Sequence, residues 1–243
     1  MLRIAEQFYS IQGEGPTVGT PAVFLRTQHC NLLCGGIGTE RDGKLHTDAT
    51  WRCDTIEVWL KGREYTSKEL MENWEQEGWL EHIANGAHVV LTGGEPLLQQ
   101  TELADFLAYL PPTTHIEVET NATKLPLPAF DQYIAQYSCS PKLANSGMPR
   151  ERRAIPAALK WHARTSRSIF KFVVTTESDV AEAIRDIVEP YFLRPDRMYI
   201  MAAAETRAEL LESGPSVAAL CMRYGFQYSP RLHIELWDRK TGV

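Results

Sequence analysis

Three cysteines in the first quarter of the chain are the residues whose type and spacing could do chemistry. Cys30 and Cys34 are separated by three residues, and Cys53 follows after a gap of 18 residues. Thiolates favour soft metal ions and iron–sulfur clusters, whereas Mg²⁺ and Ca²⁺ prefer oxygen ligands. Three thiolates can hold three irons of a 4Fe–4S cubane and leave the fourth iron open to a chelating ligand. One interpretation is therefore an iron–sulfur centre.

Two other interpretations of these cysteines remain open. Cys30 and Cys34 could be buried apolar residues, since free cysteine is often buried. A zinc ion could also be bound by the three cysteines together with His29 or His46, although the spacing matches no common zinc-finger pattern. Five cysteines in a chain without an export signal argue against a disulfide framework.

A glycine-rich turn supplies context for the cysteines. Gly93-Gly94-Glu95-Pro96 follows a short apolar strand, and glycines at such a point let the backbone approach a ligand closely. Carbonyl oxygens of this turn could accept hydrogen bonds from the amino group of S-adenosylmethionine (SAM). The turn alone could equally be an ordinary strand-to-helix connection. Together with three upstream cysteines, it favours a SAM site.

Composition limits the remaining possibilities. The chain has 243 residues, of which 44% are hydrophobic, and a formal net charge of −6 without a run of Lys or Arg. Tight nucleic-acid binding requires a clustered positive face, so the chain is expected to act on a small molecule and not on nucleic acid. The first ten residues lack the apolar core of a signal peptide, and no stretch has the length of a membrane span. These features predict a cytoplasmic protein without a membrane partner.

The elements that must position these residues alternate between strand and helix. This alternation predicts an α/β fold, a partial (open) βα barrel with about six parallel strands and flanking helices in a single domain spanning 1–243. Residues 35–52 read as a loop insertion inside the cysteine motif. The predicted strands cover 22–28, 88–92, 115–120, 169–174, 198–201 and 232–236, and the predicted helices cover 67–83, 96–109, 129–137, 179–191 and 208–224, the last with an interruption near Gly214.

Several short motifs resemble the 7-carboxy-7-deazaguanine synthases, radical SAM lyases of queuosine (7-deazapurine) biosynthesis. The resemblance covers most of the chain, and it is most specific where IQGEG precedes the cysteines, CDT ends the cysteine motif and SPK follows later. The matching segments are residues 11–15, 24–26, 30–32, 53–55, 92–97, 119–121, 140–142 and 229–233.

The resemblance implies a reaction and its cofactors. Members convert 6-carboxy-5,6,7,8-tetrahydropterin to 7-carboxy-7-deazaguanine with loss of ammonia, using a 4Fe–4S cluster, a SAM that is regenerated, and Mg²⁺. A flavodoxin or ferredoxin is implied as the electron donor, and a homodimer is expected from the family. The other hypotheses are a different radical SAM enzyme, such as a glycyl-radical activase, and a zinc-stabilised binding module.

The resemblance also implies site residues. Arg26 resembles the partner of the substrate carboxylate, which a guanidinium fork can bind bidentately. Gln12 and Glu14 resemble residues that read the pterin edge, and Thr55 resembles an Mg²⁺ ligand. The implied cluster ligands are Cys30, Cys34 and Cys53, the implied SAM contacts are Asp54, Gly94, Ser140, Pro141, Lys142, Met201, Ala202, Ala203 and Ala204, and the implied substrate contacts are Ile11, Gln12, Gly13, Glu14, Arg26, Thr92, His233 and Val243.

Three departures separate this chain from the common family pattern. Members commonly show Cx3Cx2C, whereas residues 35–52 stand between the second and third cysteine here, which makes Cys34 the necessary middle ligand. Many members have Pro or Gln where this chain has the segment 201–204, so contacts there should come mainly from the backbone. The tail also extends ten residues beyond His233. Cys139 and Cys221 match no motif and are predicted to be buried thiols.

Overall fold

The computed structural model describes residues 1–37, 39 and 44–243, so part of the predicted insertion 35–52 lies outside the described residues. The described chain forms one mixed sheet. Its strands are β1 (Leu2–Ile11), β2 (Pro21–Thr27), β3 (Arg63–Tyr65), β4 (His88–Gly93), β5 (Ile116–Thr120), β6 (Gln136–Cys139), β7 (Ser168–Val174), β8 (Met198–Ala202) and β9 (Gln227–Tyr228).

The nine strands of the described residues lie in the order β3-β1-β2-β4-β5-β6-β7-β8-β9. From β2 to β9 each strand pairs in parallel with its neighbour. β1 pairs antiparallel with both β2 and β3, and so extends the edge of the parallel sheet. The sheet is not closed, which confirms the predicted open α/β barrel. It has more strands than the predicted six.

Helices connect the parallel strands and cover one face of the sheet. They are α1 (Ile56–Trp59), α2 (Ser67–Gln76), α3 (Trp79–Ala84), α4 (Gln100–Leu107), α5 (Pro128–Asp131), α6 (Arg150–Arg153), α7 (Pro156–Arg164), α8 (Glu177–Ala183), α9 (Glu189–Tyr191), α10 (Arg207–Tyr224) and α11 (Leu232–Trp237). No helix within the described ranges is both long enough and apolar enough to cross a membrane.

Strand alternation gives the sheet two different faces. Val23, Leu25, Val89 and Leu91 are fully buried in the main core together with the helices. The intervening residues point to the opposite face, because successive strand side chains alternate. On that face Phe24 belongs to a small apolar cluster with its neighbours on β1 and β4. This face, which lies opposite the helices, is called the inner face. It has its own small apolar core, and polar residues continue along it beyond that core.

Two predicted elements were wrong. Residues 232–236 were predicted as a strand, but they form α11, and Leu232, Ile234 and Leu236 lie on this helix. Only Ile234 among these three is fully buried, and the backbone N–H of Leu232 donates to the carbonyl of Gly13. This tertiary anchor sets the direction of the chain in place of sheet pairing.

The predicted helix 129–137 was also wrong over most of its length. Phe130, Tyr133, Ile134 and Tyr137 have helical spacing, but α5 ends at Asp131 and the chain then enters β6. Tyr137 pairs in register between β5 and β7. Pairing on both sides of a buried strand outweighs the local periodicity.

Other predicted helices were confirmed with different bounds. The predicted helix 67–83 is divided into α2 and α3 at Gly78, whose φ of 74° is left-handed. The expected interruption of the helix 208–224 does not occur, and α10 continues through Pro215. A capping box at Thr206 and Glu209 starts this helix, and Val217 and Cys221 pack it against the sheet.

Candidate functional site

The carboxyl ends of the parallel strands meet at one edge of the sheet, and the loops that leave this edge surround a cavity. Cys30 follows β2, Gly94 follows β4, Ser140 follows β6 and Ala203 follows β8. The cavity has a volume of about 420 Å³. Ligand sites of open α/β sheets lie at this edge. Residues that are far apart in the sequence therefore meet where the chemistry of such folds is located.

Most of the predicted site residues line this cavity. Pro141 and Ala202 do not, although both are buried. Ala202 follows Met201 on β8, and neighbouring strand residues face opposite sides of the sheet. The predicted residues that line the cavity are Ile11, Gln12, Gly13, Glu14, Arg26, Cys30, Cys34, Cys53, Asp54, Thr55, Thr92, Gly94, Ser140, Lys142, Met201, Ala203, Ala204, His233 and Val243.

The three predicted cluster cysteines come together in spite of the long gap between them. Cys30, Cys34 and Cys53 all line the cavity. The backbone N–H of Cys53 donates to the carbonyl of Cys34 at 3.2 Å, so the chain leaves after Cys34 and returns beside it. The insertion therefore leaves the second and third cysteines adjacent in space.

The environment of these thiols suits a soft metal centre. Cys30 Sγ is contacted by Asn121 Nδ2 at 3.8 Å, and Cys53 Sγ lies 3.4 Å from Thr55 Oγ1. Burial raises the pKa of Cys30 and of Cys34 to about 12, and the negative charge of Glu95 contributes at Cys30. The thiols of Cys30 and Cys34 therefore stay protonated until a metal displaces the protons. Three sulfur donors facing one cavity fit an iron–sulfur cluster and not an oxygen-preferring ion.

The other two cysteines have a different environment. Cys139 is fully buried at the end of β6, and Cys221 is 3% exposed on α10. Both belong to the main apolar core. The prediction that they are buried thiols is confirmed.

The Gly93-Gly94 turn lies directly against the first cysteine loop. A Cβ atom on Gly94 would lie 1.8 Å from the carbonyl oxygen of His29, and one on Gly93 would meet the backbone of Thr27. Gly93 also has a φ of 108°, which favours glycine. The backbone N–H of Glu95 donates to His29 O at 2.9 Å. The turn and the cysteine loop are therefore packed so closely that no side chain fits between them.

Glu95 has a structural role in this turn. Its side chain is fully buried and accepts hydrogen bonds from Thr120 Oγ1, from the backbone N–H of Asn121 and from the backbone N–H of Leu97. Burial raises the pKa of Glu95. The carboxylate joins the end of β4 to the end of β5, and so fixes the edge of the cavity.

Lys142 and Ser140 line the cavity at the end of β6. Lys142 Nζ donates to Ser140 Oγ at 3.0 Å and lies 5.5 Å from the centre of the Trp51 ring. Trp51 Nε1 in turn donates to Asn145 Oδ1. The lysine is therefore held over an aromatic ring, with its ammonium group at the cavity wall.

A row of polar side chains crosses the inner face of four neighbouring strands. Arg26 on β2 pairs in register with Glu6 on β1 and with Thr92 on β4. Thr92 Oγ1 donates to Glu119 Oε2 at 2.7 Å, and Gln12 Nε2 donates to Glu119 Oε1 at 3.3 Å. The row presents one cation together with two carboxylates, one hydroxyl and one amide.

Arg26 keeps hydrogen-bonding capacity for a ligand. Its Nε lies 3.0 Å from Glu6 Oε2, and its guanidinium lies 5.2 Å from the centre of the Phe8 ring. Within the described residues, Arg26 Nε and Glu6 Oε2 are buried atoms without an aligned hydrogen bond. Since Arg26 lines the cavity, a ligand carboxylate there could accept hydrogen bonds from the terminal N–H groups of its guanidinium.

A buried charge cluster lies on the other side of the cavity. Glu14 contacts Lys171 Nζ and accepts a hydrogen bond from Arg231 Nε at 3.1 Å. Arg231 also contacts Asp54 and the carbonyl of Ala204. Lys171 is 4% exposed and Arg231 is 7% exposed. Two cations and two carboxylates thus compensate each other, and Asp54, whose side chain is 39% exposed, is the member that reaches solvent.

Because of this charge cluster, the stability of the fold should change with pH in the acid range. Burial alone would raise the pKa of Glu14, but Lys171, Arg231 and His233 hold it well below the usual range. A carboxylate whose pKa is depressed by folding stabilises the fold above its unfolded pKa, and the stabilisation is lost as pH falls through lower values. We expect the free energy of unfolding of the cluster-free protein to decrease as the pH is lowered below about 4.5.

Urea unfolding at a series of pH values checks this expectation. Glu14→Gln should make the acid decline shallower, because glutamine does not titrate. Glu72→Gln, at an exposed ion pair with Lys68, is the matched control and should leave the decline unchanged. The same acid decline in Glu14→Gln and wild type would contradict the prediction.

The chain end also lies at the cavity. A Cβ on Gly13 would lie 2.2 Å from His233 Nδ1, so the histidine packs on the bare backbone of the turn. A Cβ on Gly242 would lie 2.8 Å from Glu6 Oε1. Residues 238–243 line the cavity. The extended tail therefore folds back toward the Glu6–Arg26 pair.

Comparison with known proteins decides the family. No family model matches the chain. A 7-carboxy-7-deazaguanine synthase of Pyrobaculum aerophilum is 32% identical over 99% of this chain and 97% of its own length. A 7-carboxy-7-deazaguanine synthase of Halobacterium salinarum is 35% identical over 98% of this chain and 91% of its own length. This chain belongs to the 7-carboxy-7-deazaguanine synthase family.

The fold of solved structures agrees with this assignment. The crystal structure of QueE from Escherichia coli matches with a TM-score of 0.63 over 96% of this chain and 94% of that chain, at 23% identity. SuiB of Streptococcus suis, in a crystal structure with its precursor peptide SuiA, matches with a TM-score of 0.53 over 84% of this chain and 47% of that chain, at 15% identity. These likenesses confirm the fold.

As a member of the 7-carboxy-7-deazaguanine synthase family, the chain is a radical SAM enzyme that uses SAM and a 4Fe–4S cluster. The three cysteines at one cavity provide the ligands that such a cluster needs. The glycyl-radical activase and zinc-module hypotheses lose their support, because the family relatives match almost the whole chain.

Lys171 was not predicted from the sequence to belong to the site, and no role in the site was predicted for Arg231 and Glu119. The sequence placed Lys171 only within a predicted strand, and it gave Arg231 and Glu119 only as members of segments that match the family. One signal was available for Lys171, which stands between Phe170 and Phe172 in β7. A lysine is almost never fully buried unless it is paired, so its place in a buried strand implied a carboxylate partner.

Proposed function

We propose that this chain catalyses the radical-mediated ring contraction of 6-carboxy-5,6,7,8-tetrahydropterin to 7-carboxy-7-deazaguanine, with release of ammonia. The relatives that carry the synthase name match it over almost its whole length. The observation that carries the proposal is that one cavity contains three cysteine thiols together with Arg26 and several carboxylates. A soft-metal site and a site for a polar bicyclic acid thus share one chamber.

The cofactor half of the cavity is formed by the cysteines and the strand-end loops. Cys30, Cys34 and Cys53 would hold the cluster, and Gly94 and Lys142 would contact SAM beside it. When bound, the cluster and SAM supply a carbon radical through reductive cleavage of SAM. The chain's own contribution is to orient the two ligands against each other and to exclude water from the chamber. The close packing of the Gly93-Gly94 turn on the cysteine loop supports this role.

The substrate half is formed by the polar row and the charge cluster. Glu14, Gln12 and Glu119 offer oxygen acceptors for the guanidine-like N–H donors of a pterin. A carboxylate accepts at both oxygens only while it is ionised, and Lys171 and Arg231 keep Glu14 ionised. The buried cations Lys171 and Arg231 therefore support recognition of the pterin, because they keep the Glu14 carboxylate negatively charged.

Arg26 is proposed to bind the carboxylate of the substrate. We expect Arg26→Lys to raise KM for the pterin by roughly 10- to 100-fold, because an ammonium cannot reproduce a two-pronged contact worth about 1.5–3 kcal/mol. The KM for SAM should change little. Steady-state kinetics with each ligand varied in turn measures both values.

Arg63→Lys is the matched control for this substitution. Arg63 lies over the Tyr65 ring on the edge strand β3, outside the cavity. It should leave both KM values unchanged. Equal losses for pterin and SAM in Arg26→Lys would contradict the proposed role of Arg26.

Three further assignments belong to the same proposal. Thr55 Oγ1 would provide one Mg²⁺ ligand, and since a neutral hydroxyl is a weak ligand, water and substrate oxygens must supply the rest. Mg²⁺ should therefore bind well only when the substrate is present. A flavodoxin or ferredoxin would supply the electron, and the enzyme would act as a cytoplasmic homodimer.

Product formation tests the proposed function. The anaerobically reconstituted enzyme is incubated with SAM, a strong reductant and the carboxylated pterin, and the products are separated by liquid chromatography and mass spectrometry. The expected result is 7-carboxy-7-deazaguanine. SAM cleavage without conversion of the pterin would reject the proposal in favour of another radical SAM reaction, such as activation of a glycyl-radical enzyme.

A further inference from the structure

Two histidines and a glutamate meet near the amino-terminal ends of the parallel strands, away from the cysteine cavity. His88 begins β4, His115 directly precedes β5, and Glu117 lies on β5. Thr92 lines the cavity at the far end of β4. Four residues of strand span about 13 Å. None of the three side chains lines the cavity among the described residues, so the group is separate from the cluster and substrate sites.

The spacing of the three side chains suits one metal ion. His88 Nδ1 lies 2.7 Å and His115 Nε2 lies 3.7 Å from Glu117 Oε1. All three atoms lie within 4.8 Å of one another, and no other trio of His, Cys, Asp or Glu in the described part of the chain is so close. Two ligands at about 2.0–2.1 Å from a tetrahedral ion are roughly 3.4 Å apart. The observed distances lie on either side of that value. Because the two imidazole rings are stacked at an interplanar angle of 21°, one ring must turn for both nitrogens to bind the same ion.

The hydrogen bonding of the group leaves one converging atom without a partner, while the other two, His88 Nδ1 and Glu117 Oε1, bond only to each other at 2.7 Å in the described residues. His115 Nε2 is a buried atom that has no hydrogen-bond partner within the described residues. Glu117 is fully buried, and its Oε2 accepts from Thr17 Oγ1 at 2.9 Å and from Gln136 Nε2 at 3.4 Å. These bonds orient the carboxylate so that Oε1 faces the imidazoles. Such outer contacts are what hold the ligands of a metal site in place.

We propose that His88 Nδ1, His115 Nε2 and Glu117 Oε1 bind a divalent transition-metal ion, with Zn²⁺ as the representative case. Two imidazoles and one carboxylate are a ligand set of zinc and related first-row ions, and water completes the coordination. The alternative is a plain hydrogen bond between His88 and Glu117 beside two stacked rings, whose centres are 4.0 Å apart. A metal site would retain zinc, whereas a plain hydrogen bond between the two side chains would not, so zinc retention distinguishes the two interpretations.

The ion would link three parts of the fold. It would join β4 to β5, and through Glu117 it would reach Thr17, which lies on the turn that also carries Gln12 and Glu14. An ion that binds only the folded chain raises its melting temperature. The proposed site is therefore a structural one beneath the substrate pocket, and it does not depend on the proposed reaction.

Zinc retention by the cluster-loaded enzyme tests the site. Loading the cluster first occupies the cysteine thiols, so they cannot bind the added metal. After equilibration with Zn²⁺ and anaerobic gel filtration, elemental analysis should find about one zinc per wild-type chain and at least about tenfold less in His115→Ala. His82→Ala, at an exposed histidine stacked on Tyr9, is the matched control and should retain the zinc.

A second variant guards against a folding defect in the first. Glu117→Gln keeps the shape and part of the hydrogen bonding of the buried side chain but removes its charge, and it should also lower zinc retention. Zn²⁺ should raise the melting temperature of wild type and of His82→Ala, but not of the two ligand variants. Absence of zinc from the wild type, or retention unchanged in both ligand variants, would overturn the proposal.

Discussion

Cys34→Ala should leave the anaerobically reconstituted enzyme without its 4Fe–4S cluster and without detectable turnover. Cys34 lines the cavity with the other two cysteines, and the backbone of Cys53 is hydrogen-bonded to it. Two remaining thiolates cannot occupy three irons of a cubane. Iron and sulfide analysis and the visible absorption spectrum measure the loss directly.

Cys139→Ala is the matched control for this loss. Cys139 is a fully buried thiol of the apolar core, so its replacement removes a sulfur atom without touching the cavity. We expect its cluster content to equal that of wild type. Full cluster content in Cys34→Ala would show that the middle ligand has been assigned to the wrong residue.

Lys171→Met should have the largest effect on stability. Lys171 is buried against Glu14, and burial lowers its pKa less than Glu14 and Glu119 raise it, so the ammonium stays charged. Removing one partner of a buried ion pair leaves an uncompensated charge, which typically costs about 3–5 kcal/mol. That is a large part of the stability of a domain of this size. Urea unfolding at neutral pH measures the change.

Two further variants distinguish charge from packing. Lys160→Met removes an exposed lysine from α7 and should change the free energy of unfolding by less than about 0.5 kcal/mol. The double variant Glu14→Gln/Lys171→Met should be less destabilised than the sum of the single losses, because the remaining charges of Arg231 and Asp54 still compensate each other. Strict additivity would contradict the proposed pairing of Glu14 with Lys171.

Local motifs predicted much of the site because they combine residue type with a strand end. Cys30 and Gly94 each follow a strand whose apolar run was visible in the sequence, whereas β6 before Ser140 was predicted partly as helix. The carboxyl ends of parallel strands share one edge. Arg26 and Thr92 became neighbours for the same reason, since β2 and β4 pair in register. Once these strands pair in parallel, the residues at their carboxyl ends must lie at the same edge of the sheet.

Contacts made by tertiary structure could not be read locally. β1 was missed because its burial pattern is irregular, with a register shift between Ile4 and Glu6. α11 resembled a strand in sequence, but its backbone makes helical hydrogen bonds, such as the one from Glu235 N–H to Arg231 O at 3.1 Å. The partner of Lys171 lies 157 residues away at Glu14. No local pattern connects such positions, and only the folded sheet brings them together.

The cysteine gap shows the same limit. Sequence spacing alone allowed a cluster, a zinc site or buried thiols, because 18 residues between Cys34 and Cys53 fit several geometries. The hydrogen bond between their backbones brings the two thiols to the same wall. The prediction of three ligands depended on a loop closure that composition does not reveal.

The proposed function requires that one cavity holds SAM and the pterin side by side. The amount of 7-carboxy-7-deazaguanine formed per SAM consumed tests this requirement most directly. An enzyme that holds a reusable SAM beside the carboxylated pterin should form many product molecules for each SAM lost, with ammonia released in equal amount to the product. SAM that stays intact without product, or SAM that is consumed while the pterin is recovered unchanged, would contradict the account.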